Sequence, residues 1–348
     1  GATLGREFSY ELLHAVSTLE GNTLQNELTR LEEAELLYRQ GQLTQAKYTF
    51  KHALIQEAAY ESLLKGTRRK LHLHIAEVLE NRFPSTAESE PELIGYHYTQ
   101  TAHPERAIPY WQKAGQRALK RSANPEAISH LTKALTLLQT LPEDPERDKK
   151  ELVMQVGLSP AYMITKGWGA VEVEQCSKRA QALSQKLGDG QSLYAATWGL
   201  SFYYFLRGQM DDSLKSAEDV YRMAFATDNP VLHVGAHHAI GFSYFFRGEF
   251  TKAMEHAKQG IRLFNLEQER AIVDLFQISS TVAMHEFGGG SLWMLGYPEQ
   301  AKAEITQAIA LAQELKHPPS IALALCIGCF FYHAMRDFEW VEEASAKA

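Results

Sequence analysis

Cysteine is scarce in this chain. Three residues, Cys176, Cys326 and Cys329, are spread over 348 positions, too few for a disulfide framework, so packing must hold the fold. A basic excess is missing too: 35 Lys and Arg against 42 Asp and Glu leave a net charge of -7, whereas a surface built for nucleic-acid phosphates is ordinarily basic. No apolar run approaches the roughly 18 residues of a membrane span. The N-terminal stretch GATLGREF has neither the basic nor the apolar region of a secretory signal. These absences point to a cytoplasmic protein. The phosphate-binding loop G-x-x-x-x-G-K-[ST] is absent as well; the run Gly288-Gly289-Gly290 leads into Ser291-Leu292-Trp293 with no lysine. The chain does not begin with Met, and WVEEASAKA breaks off inside a helical pattern, as expected of a piece of something longer.

What the chain does have is internal repetition. From Phe202 it runs FYYFLRGQMDDSLKSAE and from Phe242 FSYFFRGEFTKAMEHAK. Phe202, Tyr204, Phe205, Arg207, Gly208 and Ala217 thus return 40 residues later as Phe242, Tyr244, Phe245, Arg247, Gly248 and Ala257. A period of roughly 20 to 50 residues signals a solenoid, whose units are each too small to bury their own apolar face. Each unit here is an aromatic helix, a turn at Arg-Gly and a second helix with small residues facing inward, the logic of a tetratricopeptide repeat (TPR). Further units centre on Gly95, Tyr98, Ala107, Trp111 and Ala114, on Gly115, Ala118, Ala127, Leu131 and Ala134, on Gly296, Ala301, Ile305 and Ala308, and on an incomplete copy around Tyr332 and Asp337. The first two sets overlap, so one helix from Glu105 to Arg121 serves both. The spacings of 40 and 48 between Gly208, Gly248 and Gly296 exceed the roughly 34 of the simple repeat and require longer helices or longer connections.

The N-terminal part differs. A helix over Phe8 to Val16, a second striped by Leu24, Leu28 and Leu31 and capped at Asn22-Thr23, and two strands, Leu36 to Arg39 and Lys47 to Phe50, follow in the order of a winged helix. Its second helix carries Glu27, Glu32, Glu33 and Glu35 against Arg30, an unfavourable balance for DNA. The expected architecture is mainly α: a small winged-helix domain with following helices over 1–83, a linker over 84–91 rich in Ser, Thr and Glu, and a right-handed TPR-like solenoid over 92–348. The segment LPEDPERD, 141–148, interrupts the repeats as a hinge or a longer loop.

At GREFSYELL, FKHALIQEAAYESLL, AIPYWQKAGQRAL and LGYPEQA the chain resembles the winged-helix plus TPR C-terminal half of bacterial signal-transduction ATPases of the STAND class, of the kind fused to class III adenylate or guanylate cyclase domains. The resemblance implies a parent in which a P-loop ATPase module precedes the winged helix, with ATP or ADP and Mg²⁺ bound there. It implies no cofactor and no catalysis in these 348 residues. The run Phe50 to Ile55 is similar to the Met-His-Asp motif that sets a winged-helix histidine against bound ADP, which makes His52 a nucleotide-state sensor; Lys51 and Ala53 depart from that motif. Otherwise His52 is a half-buried residue capping the helix behind it. A transcription regulator with a DNA-binding output and a stand-alone TPR adaptor are the competing functions.

No metal set emerges. Cys326 and Cys329 lack a second pair or a His partner and are expected to pack between helices. His72 and His74 point to opposite sides of a helix, His237 and His238 are adjacent, and His285-Glu286 reverses the metalloprotease order. The TPR signature instead brings Trp198, Phe202 and Phe205 beside His238, Phe242 and Phe245, with Trp293 and Phe330 further along. The peptide-clamp Lys and Asn of this repeat class are replaced by Trp198 and Phe202. The row is either an apolar groove for a protein or peptide partner, or for the protein's own ATPase module, or it is plain core.

Overall fold

Short apolar stripes separated by proline and glycine dictate short helices, and helices dominate the computed structural model, which describes residues 1–42, 45–276 and 278–345. The chain divides into two units, Gly1–Glu143 and Asp144–Ala348. The division falls inside LPEDPERD. The segment expected as a linker, 84–91, is largely helical instead, because Pro84 and Pro91 each occupy a first-turn position where a missing N–H costs nothing.

The first unit opens with strand β1 (Glu7–Ser9), helices α1 (Tyr10–Val16) and α2 (Gly21–Glu33), and strands β2 (Leu37–Gln40) and β3 (Lys47–Phe50). The three strands form an antiparallel sheet in the order β1-β3-β2, with Phe8 opposite Tyr48 and Leu37 opposite Phe50. The sequence-expected helix from Phe8 therefore starts two residues late. Ser9 caps α1 by accepting from the Leu12 N–H at 3.1 Å, and Phe8 is drawn into the sheet against Tyr48 and Phe50. Helix α2 begins with Glu20 at the cap rather than Asn22-Thr23 and exposes Glu27, Arg30 and Glu33.

Helices α3 (Ala53–Glu61), α4 (Lys65–Arg82), α5 (Pro84–Ser89), α6 (Pro91–Thr99), α7 (Pro104–Lys120) and α8 (Asn124–Leu138) complete this unit. Helix α7 packs on both α6 and α8, the shared role expected of it. A Cβ on Gly95 would sit 3.1 Å from the Trp111 ring, and one on Gly115 would clash with Leu131.

The second unit is entirely helical among its described residues. Its elements are α9 (Pro145–Lys166), α10 (Val171–Leu187), α11 (Gly190–Leu206), α12 (Met210–Phe225), α13 (Pro230–Phe246), α14 (Phe250–Arg262), α15 (Leu266–Phe276), α16 (Ser280–Met294), α17 (Pro298–Leu315), α18 (Pro318–Ala334) and α19 (Phe338–Ser345). The pairs α11/α12, α13/α14, α16/α17 and α18/α19 are TPR-like units in which each helix packs on its partner. The 48-residue spacing has a specific cause, since α15 is inserted between α14 and α16. Its buried Glu269 holds it there, accepting from Ser279 Oγ and Thr281 Oγ1, both at 2.6 Å, at the start of α16.

One turn recurs in each of these four pairs and between α7 and α8. After α13, Gly248 takes φ 79°, its N–H bonds to the Phe245 carbonyl at 3.0 Å and the Glu249 N–H to the Tyr244 carbonyl at 3.0 Å. These are the two bonds of a Schellman cap, which turns the chain and starts the second helix. Gly208 and Gly296 repeat the geometry, and Ser122 and Arg336 adopt it without glycine. Among the described residues no helix is long and apolar enough to cross a membrane.

A Cβ on Gly248 meets nothing within 4 Å, so Gly248→Ala isolates the backbone cost of a left-handed residue and should lower unfolding stability by about 1 kcal/mol. Gly190→Ala, equally open but in the first turn of α11 with ordinary φ, should be neutral or slightly stabilising in the same denaturant titration.

Candidate ligand cavity

The first helices of the repeat pairs are apolar nearly all round, so one face remains after each has packed on its partner and its neighbour. In α11 that face is Trp198, Phe202, Phe205 and Leu206; in α13, His238, Phe242, Phe245 and Phe246; in α16, Ala283, Glu286, Phe287, Gly290, Trp293 and Met294; in α18, Pro319, Leu323, Ile327, Phe330, Phe331 and Ala334. Successive members are three or four residues apart or directly adjacent, one stripe per helix. The four stripes enclose a cavity of about 740 Å³, to which Trp168 in the α9–α10 turn, Ile278 and Ile305 also contribute. The structure thus brings together all eight aromatic and His positions picked out from the sequence. It adds others that continue the same stripes by one turn or less, such as Leu206, Phe246 and Met294.

The cavity has a floor and a rim. Trp198, Phe202 and His238 are buried; Phe205, Phe242, Phe245 and Trp293 are half-buried; Phe246 and Phe330 are 47% and 72% exposed. Floor aromatics pack as core, with Phe202 5.1 Å from Phe242 and Trp168 5.8 Å from Phe202 between ring centroids. The Trp198 indole N–H donates to the Gly235 carbonyl at 3.2 Å, which fixes that ring. Groove and core are therefore two ends of one stripe.

Among the described residues, two titratable side chains line this apolar space. His238 shares its Nδ1 with the Ser280 hydroxyl at 3.1 Å, and burial lowers its pKa to about 3, so the ring is uncharged at neutral pH. Glu286 is only 7% exposed, and its Oε1 has neither solvent contact nor a hydrogen-bond partner. Burial raises its pKa to about 8, so the carboxyl is mostly protonated at pH 7. Sequence inspection considered Glu286 only as half of a reversed metal motif. The available signal was a lone acidic residue in the otherwise uncharged run STVAMHEFGGGSLWM.

The remaining candidates lie elsewhere. His52 is the N-cap residue of α3, but it is exposed and makes no side-chain cap bond, contrary to the half-buried capping role considered for it. His72 in α4 reaches His97 in α6, Nδ1 to Nδ1 at 2.8 Å, and His237 in α13 likewise reaches His256 in α14 at 3.0 Å. One nitrogen donates and the other accepts in each pair, which requires at least one neutral ring, and burial lowers the pKa of all four. Cys326 is exposed rather than packed between helices, while Cys329 is half-buried. Among the described residues no group of three or more His, Cys, Asp or Glu is placed to hold a metal ion.

Comparisons with known proteins place the fold. No protein-family profile matches the chain. It is 25% identical over 365 aligned positions to the uncharacterized protein R02095 of Rhizobium meliloti (strain 1021), covering 99% of this chain and 34% of that protein. The chain therefore spans about a third of the length of the curated relative it matches. Among solved structures it is similar to NprR in complex with its cognate peptide NprX, with TM-score 0.53 and 15% identity over 97% of this chain and 84% of that one. It is also similar to the Rap conjugation gene regulator of the plasmid pLS20 in complex with the Phr* peptide, with TM-score 0.53 and 12% identity over 83% and 81% of the two chains. The chain is a mainly α, TPR-like solenoid protein.

Floor and rim should separate under mutation. Phe202→Ser removes a buried ring and should destabilise the second unit by about 3 to 5 kcal/mol. Phe330→Ser and Phe246→Ser remove exposed rings and should leave the denaturation midpoint within about 0.5 kcal/mol of wild type. Equal losses at all three positions would make the stripe plain core.

Proposed function

We propose that this chain is a non-catalytic regulatory and interaction segment of a signalling protein, in which the helical repeats sense a partner or ligand at the aromatic cavity. The observation that carries it is the set of four stripes on α11, α13, α16 and α18, each of which turns an exposed large hydrophobic residue, Leu206, Phe246, Met294 or Phe330, toward an open space of about 740 Å³. That volume lies within the range of binding pockets. Exposed apolar patches of this kind mark interaction sites. Two proteins of similar fold were crystallised with peptides, NprX and Phr*, which supports a protein or peptide partner as one class of occupant.

The finer proposal follows the resemblance in the sequence. The parent is a cytoplasmic STAND-type ATPase with a class III cyclase output; residues 1–83 act as its winged helix and relay nucleotide state, and His52 faces the bound ADP. The helix-helix-hairpin order with strand β1 closing the sheet supports the winged helix. The exposed, uncapped side chain of His52 is free to meet a neighbouring module. The acidic outer face of α2 speaks against DNA as that partner.

Calorimetry and kinetics test both levels. This chain alone should bind neither ATP nor ADP, because it has no phosphate-binding loop; micromolar binding would contradict the assignment. In the intact parent His52→Ala should remove a hydrogen bond to a charged group worth about 1.5 to 3 kcal/mol and so speed ADP release and raise basal output. Unchanged ADP release and output would return His52 to a structural role.

A further inference from the structure

The cavity on the second unit is chemically lopsided in a way that narrows what it accepts. Its walls are aromatic and aliphatic, and apart from Trp168 and Ile278 its lining residues belong to helices, whose interior N–H and C=O groups bond within the helix. A peptide segment entering it would bring several amide groups and find few side chains to bond them, chiefly Glu286, His238 and the indole N–H groups of Trp168 and Trp293. Each unmatched amide costs free energy when buried. A ligand with few polar atoms escapes that cost.

Glu286, the one acidic residue among the described lining residues, leaves an oxygen without a partner. Glu286 Oε1 is sealed from water and unbonded, and unlike the other buried atoms in that state it belongs to a residue that lines the cavity, where a bound molecule can complete it. His238, the other titratable group facing the space, is held by Ser280 and neutral, so it neither supplies nor repels charge. Around these, Trp198, Phe202, Phe242 and Phe287 offer ring surfaces, and aromatic faces attract cations.

We propose that the cavity binds a small lipophilic organic cation, an apolar body carrying one ammonium-type charge, with Glu286 as its counter-ion. The assignment rests on the reading of this cavity as the sensing site and names its ligand class. With the site empty, Glu286 keeps its proton, since a bare carboxylate in this setting has no solvation. An entering cation stabilises the carboxylate, so the proton leaves to solvent as the ion pair forms.

The test is calorimetric titration of this chain at pH 7 with 4-phenylbutylamine, 4-phenylbutanol and 4-phenylbutanoate, which differ only in the terminal group. The amine should bind at least about tenfold tighter than the alcohol, the scale of a charge-assisted bond, and the carboxylate should not bind measurably. Repeating the amine titration in buffers of different ionisation enthalpy should show close to one proton released per ligand. Glu286→Gln, which mimics the protonated resting carboxyl in shape, should keep the alcohol affinity and lose both the amine preference and the proton release. Equal amine and alcohol binding without proton release in wild type would overturn the role of Glu286 while leaving the sensing site in place. Saturation by the peptide acetyl-Leu-Phe-Lys-Phe-Leu-amide with no response to the amine would overturn the small cation in favour of a peptide. If neither the three small molecules nor the peptide binds, the sensing site itself fails.

Discussion

The structure of the second unit depends on one constraint: a helix that is apolar all round needs more cover than one partner provides. Helices α12, α14 and α17 are amphipathic and each gives one face, lined by Ala217, Val220 and Ala224, by Ala253, Ala257 and Gly260, and by Ala301, Ala308 and Ala312, all fully buried or nearly so. Those small residues permit close approach; a Cβ on Gly260 would sit 3.0 Å from His237 Cβ. The neighbouring first helix covers a second face. The third is left with large aromatics, which meet across a space they do not fill.

Polar groups inside this array are spent on position. Glu269 pins the inserted helix α15 beside Ile278 at the edge of the cavity. The His237–His256 pair ties α13 to α14 on the side away from the cavity stripe, and Tyr194 donates to the Leu232 carbonyl at 2.7 Å to tie α11 to α13. These groups are bonded within the chain. Glu286 stands apart because its unbonded oxygen lies where the helices leave room, which is why it carries ligand specificity in this account.

Much of this was legible in the sequence, for physical reasons. The Arg-Gly turn repeats because a left-handed residue at the same cap needs the same solution each time, and the aromatic stripes repeat because each unit presents the same face to its neighbour. Elements with no repeat partner were harder to find. Strand β1 spans only Glu7–Ser9 and runs directly into α1, so no periodicity separates them. Helix α15 was hidden in an unexplained spacing. Ser122 and Arg336 make the glycine turn without glycine, so residue type could not flag them. The stripe residues were readable one helix at a time. The cavity was not, because an empty volume depends on how far four helices stand apart, and no single segment encodes that distance.

The central claim is that these four stripes border an accessible apolar space and do not collapse onto one another. Crystals of the chain pressurised with xenon test it most directly, since xenon enters dry cavities lined by apolar side chains. The account predicts xenon density between α11, α13, α16 and α18, in contact with Phe242, Phe287 and Ile327 of the lining. A structure in which these side chains close together and no xenon binds among them would contradict it.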